Sequence, residues 1–122
     1  MNQDVSSSIM IIGSDLHFCY LLKRYVRESE HPLLFSGLDE KALDVASKER
    51  PALIILEDCA ADSTSREMIK TLKRNLETSR IPVVLCSWQE VETCSAGVEA
   101  DVYLRMPILY ADFLAILSKM GI

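Results

Sequence analysis

Apolar residues follow two rhythms along this chain: short unbroken runs, and stripes that recur every three or four positions. The runs are Ile9-Met10-Ile11-Ile12, Leu33-Leu34-Phe35, Leu53-Ile54-Ile55-Leu56, Ile81-Pro82-Val83-Val84-Leu85-Cys86 and Val102-Tyr103-Leu104. Runs this short and continuous suit strands covered on both faces, as in a parallel sheet under helices. The central one opens after Pro51 and stops abruptly at two carboxylates, Glu57 and Asp58. Between the runs lie helical stripes. They are Phe18, Leu21, Leu22, Tyr25 and Val26; then Leu38, Ala42, Val45 and Ala46; then Met68, Ile69, Leu72 and Leu76. A fourth carries Val91 and Cys94, and the last carries Leu109, Phe113, Ile116, Leu117 and Met120.

Helix punctuation agrees with the stripes. Asp15 is placed to cap the first helix, and Thr64 with Glu67 forms a capping box for the third. Ser87 with Glu90 is a second such pair, and Gly97 is a C-cap for the helix they would start. Five strands alternating with five helices predict an α/β domain, a parallel sheet with helices on both faces. Right-handed crossovers narrow the topology to the flavodoxin-like (βα)5 three-layer sandwich, strand order 2-1-3-4-5. Residues 1–8 are polar and Ser-rich and read as a flexible tail; residues 9–122 read as a single domain.

That topology also places a site. In open α/β sheets ligands bind beyond the carboxyl ends of the strands. The ends of the first and third strands, Gly13 to Asp15 and Glu57, are expected to line one pocket, with Ser87 and Met106 at its rim.

Composition narrows the function classes. The chain has 122 residues, of which 49% are hydrophobic, enough for one domain with a core. Thirteen basic against eighteen acidic residues give a net charge of -5, which argues against direct nucleic-acid binding. No apolar run approaches the roughly 18 residues of a membrane span. The start lacks the basic and apolar segments of a signal peptide, so the expected location is the cytoplasm. Cys19, Cys59, Cys86 and Cys94 have no CxxC spacing, and the only histidines are His17 and His31. The thiols read as free and buried or half-buried, and no metal site is expected. No Cys–His or Ser–His–Asp set suggests an enzyme.

Three segments carry a resemblance to a known family: PALIILE at 51–57, IPVVLCSW at 81–88 and ADVYLRMPI at 100–108. With their spacing, they make the chain resemble a response-regulator receiver domain (CheY-like) of bacterial two-component and phosphorelay signalling, along nearly its whole length. That resemblance implies phosphoryl transfer to an aspartate, which attacks phosphorus through a carboxylate oxygen. It implies a magnesium ion held by an acidic pair after the first strand, and a lysine at the end of the fifth. A Ser or Thr after the fourth strand and an aromatic residue on the fifth form the family's switch.

Carried over residue by residue, the pattern fails where the chemistry needs it. The acceptor position holds Glu57. The acidic-pair positions hold Gly13 and Ser14, with only the following acid kept, as Asp15. The lysine position holds Met106. Trp88 stands where a small residue follows the switch hydroxyl, and its bulk is expected to crowd phosphate access. Ala60-Ala61-Asp62-Ser63 replaces the Pro-Gly loop. Ser87 and Tyr103 keep the switch pattern. Glu is longer than Asp by about one carbon–carbon bond, ~1.5 Å, and a misplacement of ~1 Å can cost about a hundredfold in rate. Losing the metal ligands and the lysine removes charge stabilisation, which usually contributes more to catalysis than any other single effect.

The resemblance therefore implies a degenerate, or pseudo-, receiver that signals by protein–protein interaction without phosphorylation at Glu57, with no cofactor and no magnesium. Glu57 is either a partial mimic of phosphoaspartate or a solvated strand-end carboxylate. The alternative is a working phosphoacceptor using Asp58, although alternation along a strand turns Asp58 away from the Glu57 side. Asp15 is either a remnant metal ligand or the helix cap, and Ser87 either a switch or a cap. Met106-Pro107 matches a bond often cis in the family, with trans the default from sequence. Expected partners are a histidine kinase, a downstream regulator or the chain itself. The interaction surface would carry Trp88, Tyr103 and Arg105, with a homodimer through the fourth helix, fifth strand and last helix.

Overall fold

The structure, a computed structural model, describes residues 7–58, 64–90 and 99–122. The strands are β1 (Ile9–Ile12), β2 (Leu33–Ser36), β3 (Leu53–Glu57), β4 (Val83–Ser87) and β5 (Val102–Arg105). The helices are α1 (Leu16–Glu28), α2 (Lys41–Glu49), α3 (Thr64–Arg74) and α4 (Tyr110–Met120). The five strands form one parallel sheet in the order β2-β1-β3-β4-β5, as the alternation of patterns predicts.

Strand alternation splits the core into two layers. Ile9, Ile11, Leu53, Ile55, Val84 and Cys86 pack with Phe18, Leu22 and Val26 of α1 and with Phe113, Ile116 and Leu117 of α4. Met10, Ile12, Ile54, Leu56, Val83 and Leu85 pack with Ala42 and Ala46 of α2 and with Met68, Ile69 and Leu72 of α3. β1, β3 and β4 are buried along their whole length, which explains why they read as unbroken apolar runs. At the end of β3 the alternation continues, so Glu57 turns to the α1 side and Asp58 to the α3 side.

Several elements differ from the sequence pattern. Leu76 is 95% exposed, because α3 ends at Arg74 and the chain turns before the 3.6-residue period reaches it. β4 begins two residues later than its apolar run, after Pro82. Residues 7 and 8, counted with the tail, touch the domain. Ser8 is buried and its carbonyl accepts from the Ala52 amide at 2.8 Å, while the Ser7 carbonyl lies 3.1 Å from His31 Nδ1. The Met106–Pro107 bond is cis. The expected fourth helix, with Val91, Cys94 and Gly97, lies outside the described residues, as does the loop 59–63.

Local chemistry sets the element ends that matter for the site. Asp15 is the N-cap of α1, its Oδ2 accepting from the Phe18 amide at 2.9 Å. α2 closes on Arg50 in the left-handed region, directly before Pro51 leads into β3. At α4 the Asp112 carboxylate accepts from the Leu109 amide at 3.0 Å and holds the first turn.

Candidate functional site

The carboxyl ends of β1 and β3 meet as the topology requires. Glu57 is 9% exposed, so it is not the solvated strand-end carboxylate that the plainer sequence interpretation allowed. Its Oε1 accepts from two consecutive backbone amides, Ser14 at 2.7 Å and Asp15 at 3.0 Å. These amides stand immediately ahead of α1, where unsatisfied N–H groups and the helix dipole favour an anion. Gly13 makes this approach sterically allowed. A Cβ at that position would lie 2.8 Å from Glu57 Oε1 and 3.0 Å from the Phe18 ring. The glycine and the longer acid are thus two halves of one arrangement, in which the carboxylate reaches back over the loop where no side chain stands.

A cavity of about 120 Å³ opens beside Glu57. Asp15, His17 and Glu57 line it together with Phe18, Leu21 and Leu22 of α1, and Trp88, Met106, Pro107 and Ile108 complete the wall. Met106 is therefore where the sequence places it. Ser87 is not among the lining residues. It is fully buried, and its hydroxyl donates to Asp58 Oδ2 at 2.9 Å. Asp58 is 7% exposed, and Ser65 of α3 donates to its Oδ1 at 2.8 Å. Ser87 Oγ also accepts from the Gln89 amide at 3.1 Å.

The expectation that Ser87 shares the Glu57 pocket is thus corrected. In the register, Glu57 pairs with Cys86, so Ser87 falls on the face of Asp58. Asp58 does turn away from Glu57, and it meets the Ser87 hydroxyl there. Sequence reasoning missed Ser65 altogether; its only signal is a small hydroxyl at the start of the Thr64 helix. It also missed Cys86 as the neighbour of Glu57. Burial pushes the Cys86 thiol pKa up, and the Glu57 charge adds to the shift. Burial also raises Cys19, with Glu57 the next contributor.

No family model and no curated protein sequence matches the chain. Solved structures do. A response regulator from Chloroflexus aurantiacus, described as putative, superposes with a TM-score of 0.83 at 14% identity, covering 95% of this chain and 98% of that one. The chemotaxis response regulator CheY4 of Vibrio cholerae gives 0.82 at 15% identity, covering 95% and 99%. The receiver domain of the sensor histidine kinase PA1611 from Pseudomonas aeruginosa gives 0.78 at 15% identity, covering 97% and 100%. That last structure carries a magnesium ion coordinated in its active-site cleft. The fold is that of response-regulator receiver domains.

On a receiver fold, the remaining named residues fall as follows. Arg105 is exposed and pairs with Glu90 at 2.6 Å, and its Nε donates to the Trp88 carbonyl at 3.4 Å. Trp88 is 65% exposed. Trp88 and Arg105 therefore share one surface. Tyr103 is half-buried and packs on the α3-side core, so it belongs partly to that core. Among the described residues no helix is long and apolar enough to cross a membrane, and no cluster of three or more His, Cys, Asp or Glu is placed to hold a metal ion.

Proposed function

We propose that this chain is a receiver-type module of two-component or phosphorelay signalling that acts in the cytoplasm by protein–protein contact, without phosphorylation at Glu57. The observation that carries the proposal is the engagement of Glu57 Oε1 by the Ser14 and Asp15 amides. A nucleophilic carboxylate must present an oxygen in line with phosphorus, and two hydrogen bonds to Oε1 fix the orientation of the group and draw charge from the whole carboxylate, Oε2 included. Met106 brings no charge to the place where the family's lysine would steady the phosphoryl oxygens. Glu57 also makes no hydrogen bond to Ser87, so a phosphate-mimic role would lack the hydroxyl through which the family's switch works.

The residues present do not fit a magnesium ion. That ion demands near-octahedral oxygen ligation. Glu57 Oε1 is taken by two amides, Asp15 Oδ2 by the α1 cap, and Asp58 by two hydroxyls on the other side of the sheet, which leaves one oxygen each on Glu57 and Asp15, too few for that shell. The proposed partners are a histidine kinase, a downstream regulator or a second copy, docking through the surface that carries Trp88, Tyr103 and Arg105.

A second role is favoured by one observation. Asp58, the alternative acceptor, faces Ser87, the hydroxyl that would bond a phosphoryl group in a receiver. One experiment separates the two. The chain is incubated with acetyl phosphate and magnesium and its intact mass recorded, with Asp58→Asn alongside. The proposal expects no adduct. An adduct lost in Asp58→Asn supports the second role, and one that persists there and maps to Glu57 overturns the first.

A further inference from the structure

Glu57 is a carboxylate more than nine-tenths buried, and it has no ion-pair partner among the described residues. Its Oε1 is satisfied by the Ser14 and Asp15 amides, but no hydrogen bond from the described residues reaches its Oε2. Buried charges are ordinarily paired or bound to a cation. The cavity beside it adds a second carboxylate, Asp15, and one imidazole, His17, and no lysine or arginine lines it. Otherwise its wall is largely apolar: Phe18, Leu22, Met106 and Ile108, with the exposed indole of Trp88.

We propose that this cavity is a binding site for a primary alkylammonium group, its charge on Glu57 Oε2 and its hydrocarbon chain against Phe18, Leu22 and Met106. A bare divalent cation does not suit the site, because the apolar wall supplies no further oxygens to complete its shell. An inorganic anion does not suit it, because Glu57 and Asp15 repel it. An organic cation matches both halves, since ammonium pairs with carboxylate while the stem and the indole face add apolar and cation–π contact. The volume of about 120 Å³ approaches that of an engineered cavity of about 150 Å³ able to hold benzene, which sets the alkyl part at about four to six carbons. The same chemistry is offered by a free small amine and by the lysine side chain of a partner protein.

The site requires Glu57 to be an unmodified carboxylate, so it rests on the function proposed above. Its test is separate, because it uses no phosphodonor. The full chain is titrated with n-butylammonium chloride and Trp88 fluorescence is followed, with butanol, butyrate and magnesium chloride as controls. Saturable binding of the amine alone is expected. Glu57→Gln retains an oxygen for the two amides and should keep the fold by circular dichroism, yet weaken the amine by about tenfold or more. Met106→Lys supplies an internal ammonium and should abolish amine binding while leaving the fold intact. N-acetyl-lysine methylamide is titrated in parallel: tighter binding than butylammonium assigns the source to a partner's lysine, and weaker binding to a free amine. Equal binding of butanol and butylammonium overturns the proposal. So do an unchanged affinity in Glu57→Gln, a tighter response to magnesium than to amine, or no saturable binding by either amine.

Discussion

Glu57 and Asp58 are consecutive carboxylates at the end of one strand, both buried, and the fold uses them in opposite ways. On the α1 side, Glu57 is held by backbone amides through one oxygen, and its other oxygen remains beside a cavity. On the α3 side, both oxygens of Asp58 are taken by hydroxyls, Ser65 and Ser87, in a packed interior. The backbone donors that hold Glu57 come with the start of α1, and Gly13 leaves the way to them open. The hydroxyl donors that hold Asp58 would lose that acceptor without it. The comparison teaches that adjacent acids need not form one acidic pocket. Here one position of strand alternation separates a carboxylate poised toward a cavity from one built into the core.

The largest effect should follow from removing Asp58. Asp58→Ala leaves the Ser65 and Ser87 hydroxyls without their acceptor, and the expected cost is about 3 kcal/mol, read as a lower urea midpoint. A loss as small as that of a surface substitution would erase the distinction between the two acids.

The next prediction concerns the loop on the other side. Gly13→Ala places a methyl group against Glu57 Oε1 and the Phe18 ring, at an expected cost of about 1–3 kcal/mol. Part of that cost should disappear when Glu57→Ala is made in the same chain, so the double-mutant cycle should show favourable coupling. Strict additivity would mean that glycine and glutamate are not two halves of one arrangement.

How much of this was legible in the sequence depends on the kind of signal each residue gives. The strands were legible because their unbroken apolar runs reflect burial on two faces, and α1 because Asp15 stands just ahead of its stripe. Leu76 was misread because periodicity alone does not show where a helix stops. The pocket ends of β1 and β3 were legible from topology. The partner of Ser87 was not, since it depends on register: Glu57 opposite Cys86 puts Ser87 level with Asp58. The bond from Glu57 to the loop amides was hidden as well. It involves no distinctive side chain beyond the absence of one at Gly13.

A smaller effect distinguishes the two sides by pH. Cys86 lies in the Glu57 layer, and burial followed by the Glu57 charge raises its thiol above the ordinary range. An unfolded thiol ionises near pH 8.5. Below that both states hold the proton; above it the unfolded chain alone releases it, so stability falls as pH rises. Wild type should therefore lose up to about 1.4 kcal/mol per pH unit more than Cys86→Ala above that point, by urea melts at successive alkaline pH values. Parallel pH profiles for the two chains would contradict the buried, protonated thiol.

The most direct measurement is the amide spectrum of the full chain, recorded before and after adding magnesium with beryllofluoride, a phosphoryl mimic. The account predicts that the Ser14, Asp15 and Ser87 amides stay where they are, because one oxygen of Glu57 and both oxygens of Asp58 are already engaged and Met106 brings no charge to hold the mimic. A saturable shift of these three resonances would contradict it, and would show a working phosphorylation site at the end of β3.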